Sequence, residues 1–300
     1  MALNRSFLFA PGNHPHRVEK ALTLGADAVI LDLEDAVALS EKAASRKPVA
    51  EAIARAGKVR VYVRVNAMGT PFCFRDLVDT VVPGLHGVVL PKVESAADLH
   101  AIDWMLWNLE MERGMAPGSL DLIPLVETAA GLSRVDRVFQ ARSLKPYSGC
   151  WRVRRAAFGA ADYANELGIT TSADERELDH ARAKLVLASA SEGVEPPLDS
   201  PYFDIRDAEG YRLSTERSRR MGFQGRLCIH PDQVAGANTG FAPSADEVAR
   251  ARRIVDAFRE AEAKGEAAVQ VDGKMVDYSV VRQAQTLLGL LESVQGGPKA

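Results

Sequence analysis

The sequence predicts an α/β protein built on a (β/α)8 barrel, with a C-terminal extension after the barrel. Eight short apolar runs rich in β-branched residues recur along the chain, and amphipathic segments separate them. The runs are continuous and do not alternate in polarity, which is typical of parallel strands covered by helices. Eight strand–helix alternations favour a closed barrel over an open doubly wound sheet.

The eight predicted strands are spaced widely enough for a helix between each pair. The seventh is the weakest, because it holds two prolines and few apolar residues. In chain order the strands begin at residues 6, 28, 59, 86, 120, 154, 196 and 225, as SFLFAPG, AVILDLED, VRVYVRVNA, HGVVLPKVE, LDLIPLVETA, RRAAFGAADY, PPLDSPYFD and GRLCIHPDQV.

Helices are predicted between the strands by patterns such as HRVEKALTLG and SAADLHAIDWMLWNLEMERG. Two more are expected just after capping-box pairs, Ser172 with Glu175 and Ser244 with Glu247, in which serine and glutamate stand three residues apart. We expect a barrel domain over residues 1–242, a C-terminal helical extension over 243–295 and a disordered tail over 296–300.

Composition excludes several classes of function. The formal net charge of −3 gives no reason to expect a nucleic acid partner. No apolar run reaches the roughly 18 residues of a membrane span, and the N-terminus lacks a signal-peptide pattern. The three cysteines, Cys73, Cys150 and Cys228, are scattered and odd in number. They indicate reduced thiols in a cytoplasmic protein.

Polar residues collect at the ends of the predicted strands, where barrel enzymes build their active sites. Glu127 and Asp162 each follow an apolar run directly. Two carboxylates from neighbouring strands, completed by water and substrate, suit Mg²⁺, and the His/Cys clusters typical of zinc are absent. The alternative is a pair of helix N-caps. The strand-end residues are Pro11 to His14, Asp32, Glu34, Asp35, Arg64, Asn66, Lys92, Glu94, Glu127, Thr128, Asp162 and His230.

Arg64 lies inside a predicted strand, where a guanidinium needs an anionic partner because it cannot lose its proton. It either pairs structurally with Asp32, Glu34 or Asp35, or binds a substrate oxygen, and the two roles are compatible.

A turn at APGNHPHR places His14 and Arg17 at the start of a helix, where they could hold phosphate. An ordinary strand-to-helix turn explains this stretch equally well. His230 is expected to be a hydrogen-bonded histidine of the barrel rim and not a metal ligand.

Nine motifs in order, from about residue 4 to 290, resemble the HpcH/HpaI aldolase and citrate lyase β-subunit-like family. They are RSFLFAPGN, GADAVILDLEDAV, YVRVNA, LPKVES, LIPLVETAAGL, FGAADYANELGI, GFQGRLCIHPDQV, FAPSADEVARA and DGKMVD. The resemblance implies a TIM barrel that cleaves or forms a carbon–carbon bond in acyl thioesters with Mg²⁺. One departure is the stretch LKPYSGCWRV at 144–153, which we expect to lengthen a connection on the face opposite the catalytic rim.

Residue roles follow from the same resemblance. Glu127 and Asp162 match metal ligands, with Glu127 also next to the substrate, and Arg64 matches a catalytic arginine that holds the substrate. Asp277 matches an acid/base aspartate that a neighbouring subunit contributes through its C-terminal extension, which implies a homo-oligomer, with a trimer favoured. The carboxylates that support the metal and pair with Arg64 are Asp32, Glu34 and Asp35.

The implied reaction is cleavage of a 3-hydroxyacyl-CoA thioester, such as malyl-CoA or citramalyl-CoA, to acetyl-CoA and a 2-oxoacid. His14 and Arg17 are then candidate contacts for CoA phosphates. A second hypothesis is a citrate lyase β subunit that acts on an acyl-carrier-protein thioester within a complex. A non-catalytic barrel that binds acyl-CoA and an aldolase acting on free acids are the remaining alternatives.

Overall fold

The computed structural model describes residues 4–143, 146, 147, 149 and 151–295 of the 300-residue chain. These residues form two compact units, one from Asn4 to Phe241 and one that begins at Ala242. No helix in the described ranges is long and apolar enough to cross a membrane. The expected tail at 296–300 lies outside the described residues.

The first unit is a closed barrel of eight parallel strands, which confirms the predicted (β/α)8 fold. Each strand pairs with the next along the chain, and β1 pairs with β8 to close the ring. The seventh strand is only two residues long, in keeping with its prolines. The strands are β1 Ser6–Pro11, β2 Ala28–Asp32, β3 Arg60–Arg64, β4 Gly87–Leu90, β5 Asp121–Val126, β6 Ala157–Phe158, β7 Leu198–Asp199 and β8 Gly225–Cys228.

Ten α-helices and two short 3-10 helices are described in this unit, and the helices cover the outside of the barrel. The 3-10 helices are Gln140–Ser143 and Arg176–Leu178. The α-helices are α1 Pro15–Ala21, α2 Lys42–Arg55, α3 Cys73–Thr80, α4 Ala96–Glu112, α5 Ala129–Ser133, α6 Val135–Phe139, α7 Ala160–Leu167, α8 Asp179–Ser191, α9 Ala208–Met221 and α10 Pro231–Gly240.

Side-chain alternation along the strands separates two cores. On β2, Val29 and Leu31 join the large core between the barrel and its helices, whereas Ala28 and Ile30 belong to a smaller cluster. Because all eight strands contribute to that smaller cluster, it fills the barrel interior. Its members are Phe7, Ala28, Ile30, Tyr62, Val89, Ile123, Leu125, Ala157, Leu198 and Leu227.

One of the two predicted capping boxes is wrong. Ser172 does not cap a helix with Glu175, because α8 begins only at Asp179 and a 3-10 turn precedes it. Glu175 has φ +50°, and its carboxylate accepts a hydrogen bond 3.0 Å long from the buried Arg182. The Glu175 carboxylate also accepts a hydrogen bond of 2.8 Å from Ser214, and the N–H of Ser172 donates to Glu177 instead of Glu175. The second box, Ser244 with Glu247 at the start of α11 (Ala245–Glu262), is confirmed.

The described residues of the stretch at 144–153 precede β6 and lead into its amino end, which is opposite the strand ends that carry the polar residues. Leu144, Lys145, Ser148 and Cys150 are outside the described residues. Arg152 is buried and pairs with two carboxylates of α4, Asp103 and Glu110, each at 2.6 Å. Arg152 therefore anchors the end of this stretch to α4.

The second unit contains a hairpin as well as two helices. It is built from α11, β9 Val269–Val271, β10 Lys274–Val276 and α12 Tyr278–Gln295. Asp272 and Gly273 both have positive φ, which is the conformation of a two-residue type I′ turn. A small apolar core holds the unit together, formed by Ala251, Ile254, Phe258, Val276, Val281 and Ala284.

Candidate active site

Asp32 and Arg64 form the fixed base of the site. They are register partners on β2 and β3, and both continue the inward-facing rows of their strands. Arg64 donates from Nε to Asp32 Oδ1 at 2.7 Å and from Nη2 to Asp32 Oδ2 at 2.6 Å. Burial acts to lower the pKa of Arg64, but the charge and hydrogen bonds of Asp32 outweigh it and raise that pKa. The guanidinium is therefore a permanent cation at the barrel mouth.

Two more carboxylates of the β2 loop surround Arg64. Glu34 Oε2 lies 2.9 Å from Arg64 Nη1, although the angle is poor for a hydrogen bond. Asp35 accepts a bond of 3.3 Å from the same nitrogen and is more exposed than Glu34. The predicted ion pairing of Arg64 thus involves all three carboxylates of the DLED stretch, and the arginine also stacks 4.8 Å above the ring of Phe9.

Glu127 stands at the carboxyl end of β5, two residues after the inward-facing Leu125, and is only 3% exposed. Its Oε1 accepts a hydrogen bond of 3.0 Å from the backbone N–H of Lys92. On the other side, a Cβ added to Gly159 would lie 2.4 Å from Glu127 Oε2. A glycine at position 159 therefore leaves the space that this carboxylate needs.

Asp162 lies in the first turn of α7, directly after β6, and its side chain is 38% exposed. Its Oδ2 is 3.3 Å from Lys92 Nζ, which also donates to Glu34 Oε1 at 2.9 Å. Lys92 thus joins Glu34, Glu127 and Asp162 into one group. The sequence placed Lys92 at a strand end but indicated no role for it.

Five charged residues of this group, Asp32, Asp35, Arg64, Glu127 and Asp162, border a cavity of about 380 Å³ at the carboxyl ends of the strands. One part of its wall is charged, and the other is apolar. The apolar part, which the sequence patterns did not indicate, contains Phe203 and Ile229, both partly exposed to solvent. The lining residues are Phe9, Pro11, Asp32, Asp35, Ala36, Arg64, Leu125, Glu127, Gly159, Ala160, Ala161, Asp162, Pro201, Phe203, Leu227 and Ile229.

Negative charge exceeds positive charge in this group. Burial, the neighbouring charge of Glu34 and that of Asp162 raise the pKa of Glu127 to about 8, although Arg64 and Lys92 act in the opposite direction. For Lys92, burial acts to lower the pKa, but the hydrogen bond to Glu34 and the charges of Glu34 and Asp162 outweigh burial and raise this pKa. Two permanent cations thus face five carboxyl groups.

The stability of the metal-free protein is expected to fall as pH rises because of Glu127. Its pKa is about 8 in the folded chain against an ordinary 4.5, so the folded state binds more protons between these values. The side chain introduced by Glu127→Gln stays neutral at both pH values. The free energy of unfolding of this variant should therefore be about 1–3 kcal/mol higher than that of wild type at pH 8.5, and the difference should be much smaller at pH 5. Urea unfolding in EDTA at both pH values measures this, with the exposed Glu51→Gln as control. An increase in the free energy of unfolding that is the same at both pH values would contradict this prediction.

The donor set fits a hard divalent cation. Glu127 and Asp162 offer oxygen ligands only, and a divalent cation would offset the excess negative charge. Among the described residues, no cluster of three or more His, Cys, Asp or Glu side chains has metal-binding geometry. A site with two protein carboxylates leaves the remaining positions to water and substrate, as Mg²⁺ prefers.

Two other candidate residues of the barrel unit do not belong to this group. His14 and Arg17 are exposed at the start of α1, and neither lines the cavity. Asp277 belongs to the second unit, where its Oδ1 accepts hydrogen bonds from Ser279 N, Ser279 Oγ and Val280 N. The side-chain hydrogen bond from Ser279 and the backbone bond from Val280 lower the pKa of Asp277. The carboxylate therefore caps α12 and is ionised at neutral pH.

His230 is a hydrogen-bonded rim histidine, as the sequence indicated. It precedes α10, and its Nδ1 accepts a hydrogen bond of 3.3 Å from the backbone N–H of Asp232.

Comparison with known proteins finds similarity along nearly the whole chain. The sequence profile of the HpcH/HpaI aldolase/citrate lyase family matches residues 5–231. The L-malyl-CoA/beta-methylmalyl-CoA lyase of Cereibacter sphaeroides is 35% identical, with 97% of this chain and 95% of that protein aligned. The citrate lyase subunit beta of Leuconostoc mesenteroides subsp. cremoris is 32% identical, with 96% and 93% aligned.

A solved structure shares the fold and carries ligands. The crystal structure of protein CitE from Mycobacterium tuberculosis, in complex with magnesium, acetoacetate and coenzyme A, has a TM-score of 0.74 to this chain. The two are 31% identical, with 96% of this chain and 98% of that chain covered. Magnesium and coenzyme A are thus bound by a protein of this fold.

Proposed function

Because the chain belongs to the HpcH/HpaI aldolase/citrate lyase family and is therefore a carbon–carbon lyase, we propose that it cleaves or forms a 3-hydroxyacyl-CoA thioester with Mg²⁺. Malyl-CoA and citramalyl-CoA are the substrates of choice, and acetyl-CoA and a 2-oxoacid are the products. The observation that carries this proposal is that Arg64, Glu127 and Asp162 border one cavity.

Arg64 is a fixed cation, and some of its N–H donors are not used in hydrogen bonds to Asp32 and Asp35. A guanidinium carries five N–H groups, and three of them are used in bonds to Asp32 and Asp35. The remaining donors belong to a side chain that lines the cavity. We propose that they stabilise the negative charge that develops on the thioester enolate during cleavage.

Glu127 and Asp162 would hold the metal through their free oxygens. Mg²⁺ bound there supplies Lewis acidity to the oxygen that becomes the carbonyl of the 2-oxoacid. Glu127 is oriented by the Lys92 N–H, and Asp32, Glu34 and Asp35 orient Arg64. These three carboxylates would also order water around the metal.

The apolar part of the cavity suits the rest of a thioester substrate. Pro201, Phe203 and Ile229 present carbon surface beside the charged wall, where an acyl chain and the thioester sulfur would lose contact with water. We propose in addition that His14 and Arg17 contact CoA phosphates. Acyl-CoA substrates and the unpaired thiols of Cys73 and Cys228 fit a cytoplasmic location.

A direct assay tests this function. Purified protein with Mg²⁺ should release acetyl-CoA and an oxoacid from malyl-CoA or citramalyl-CoA, and EDTA should stop the reaction. Chromatography of the CoA products, with separate detection of glyoxylate and pyruvate, identifies which thioester is cleaved. The absence of cleavage for the whole series of hydroxyacyl-CoA thioesters would contradict the proposal.

A citrate lyase β subunit is the second candidate, supported by 32% identity to the Leuconostoc subunit. Such a protein would cleave a citryl thioester on an acyl carrier protein and leave CoA thioesters intact. Supplying both forms of the substrate in parallel distinguishes the two functions.

Asp277 is proposed as the acid/base residue, supplied by a neighbouring subunit of a homo-oligomer, with a trimer favoured. Asp277→Asn should lower cleavage by about 10²–10⁴-fold, because an amide can neither take the proton of the substrate hydroxyl nor pass it on to the enolate carbon. Asp162→Asn should be inactive because it removes a proposed metal ligand from the barrel. Mixed oligomers of the two variants should regain about a quarter of wild-type activity, since that fraction of sites pairs an intact barrel with an intact Asp277. Recovery is measured after dissociation and reassembly.

Two outcomes contradict the Asp277 proposal. If Asp277→Asn keeps full activity, the carboxylate serves only as the cap of α12. If the variant is inactive and mixing restores nothing although mixed oligomers form, Asp277 does not act across subunits.

A further inference from the structure

Lys92 has an unusual backbone conformation next to the site. It follows β4 and Pro91, and its φ is +53°, a left-handed conformation that long side chains rarely adopt. In this conformation its N–H donates to Glu127 Oε1 at 3.0 Å. Backbone strain of this kind persists only where surrounding contacts enforce it, and it collects at functional sites.

The side chain of Lys92 reaches a second pair of carboxylates. Its Nζ lies 2.9 Å from Glu34 Oε1 and 3.3 Å from Asp162 Oδ2. Through its N–H and its ammonium group, this one residue therefore contacts both proposed metal ligands and the buried carboxylate beside them.

Charge explains what the ammonium does in the absence of metal. Glu34 and Asp162 both lie close to Lys92 Nζ, and their negative charges repel each other. Asp162 is the more exposed of the two, so repulsion would turn it toward solvent unless a cation attracts it inward. Lys92 Nζ is the cation that contacts it.

We propose that Lys92 is the internal counter-cation of this site: it holds Asp162 inward before metal binds and must release that carboxylate to Mg²⁺. The inference rests on the metal site proposed above and assigns Lys92 a positioning role. An ammonium and a divalent cation that share one carboxylate repel each other, so Lys92 holds metal affinity down while it keeps the empty site assembled.

Calorimetric titration of the full-length protein with MgCl₂, without substrate, tests the proposal. Lys92→Met keeps the aliphatic stem and removes the charge, so it should bind Mg²⁺ about tenfold more tightly than wild type. Lys92→Arg keeps the charge and should bind within about twofold of wild type. Lys47→Met, an exposed lysine on α2, is the matched control for the change in net charge and should have no effect.

Thermal unfolding gives a second readout. In EDTA, Lys92→Met should melt below wild type, because Asp162 loses its contact with Lys92 and Glu34 keeps only Arg64 as a cationic neighbour. Mg²⁺ should recover most of this loss, so the metal-induced rise in Tm should be larger for the variant than for wild type. Lys92→Gly keeps the backbone N–H and suits positive φ, and it should bind Mg²⁺ more tightly in the same way if Lys92→Met does not fold.

Unchanged or weaker Mg²⁺ binding by both neutral variants would overturn the proposal, as would a loss of stability that is equal in EDTA and in Mg²⁺. Glu127→Gln and Asp162→Asn separate this failure from failure of the metal site itself. If these two variants lose Mg²⁺ binding while the Lys92 variants bind like wild type, only the role of Lys92 is wrong. If wild type itself fails to bind Mg²⁺, both proposals fall.

Discussion

Glu127→Gln and Asp162→Asn are each expected to lower Mg²⁺-dependent cleavage by about a thousandfold or more. Each change replaces an anionic oxygen ligand by an amide, which weakens metal binding and removes several kcal/mol of transition-state stabilisation. Neither should unfold the chain, because the amide keeps the shape of the carboxylate. Initial rates over a range of MgCl₂ concentrations, together with calorimetric Mg²⁺ titration, separate loss of affinity from loss of turnover.

Asp35→Ala provides the graded control for this experiment. Asp35 touches Arg64 and lines the cavity, but we assign it a supporting role behind the metal. Its loss, like that of Glu34, should weaken Mg²⁺ affinity by only about 10–100-fold. Full Mg²⁺-dependent activity in either Glu127→Gln or Asp162→Asn would show that the metal assignment is wrong.

Arg64→Lys is expected to lower kcat by about 10²–10³-fold with little change in KM. Lysine keeps the positive charge but loses the planar fork that Asp32 holds with two hydrogen bonds, so its donor no longer points at one place in the cavity. A group that stabilises charge formed only in the transition state affects kcat and not ground-state binding. Steady-state kinetics at saturating Mg²⁺ measure this division.

Arg64→Met tests how much of the loss of activity at position 64 comes from a loss of stability. It leaves Asp32 buried without a cation and should cost about 3–5 kcal/mol of stability. Asp32→Asn combined with Arg64→Met removes the charge on both sides and should recover most of that loss while activity stays low. A double variant that regains activity along with stability would mean that Arg64 serves only the fold.

The barrel and most of its charged site could be predicted because both follow from strand periodicity. Asp32 and Arg64 end apolar runs at matching positions of neighbouring strands, so the closed sheet makes them register partners. Glu127 continues the inward row of β5 in the same way. Asp162 follows β6 by a few residues and lies in the first turn of a helix, where an acidic residue is also predictable.

What the sequence did not reveal depends on contacts between distant segments. Lys92 has a positive φ and contacts carboxylates that come after other strands, and no local pattern encodes these contacts. The capping box at Ser172 was a wrong prediction for a similar reason, since the Glu175 carboxylate bonds to Arg182 and to the more distant Ser214. The role proposed for Asp277 would involve a second chain, and the resemblance to known lyases, not its spacing, is what indicates it.

Two side chains at the top of the barrel core also form the floor of the cavity. Leu125 and Leu227 belong to the cluster that fills the barrel, and both also line the cavity. Shortening either one to admit a bulkier acyl group would leave a hole in the hydrophobic interior whenever the substrate is absent. The range of substrates accepted at this floor is therefore limited by the thermodynamic stability of the empty enzyme.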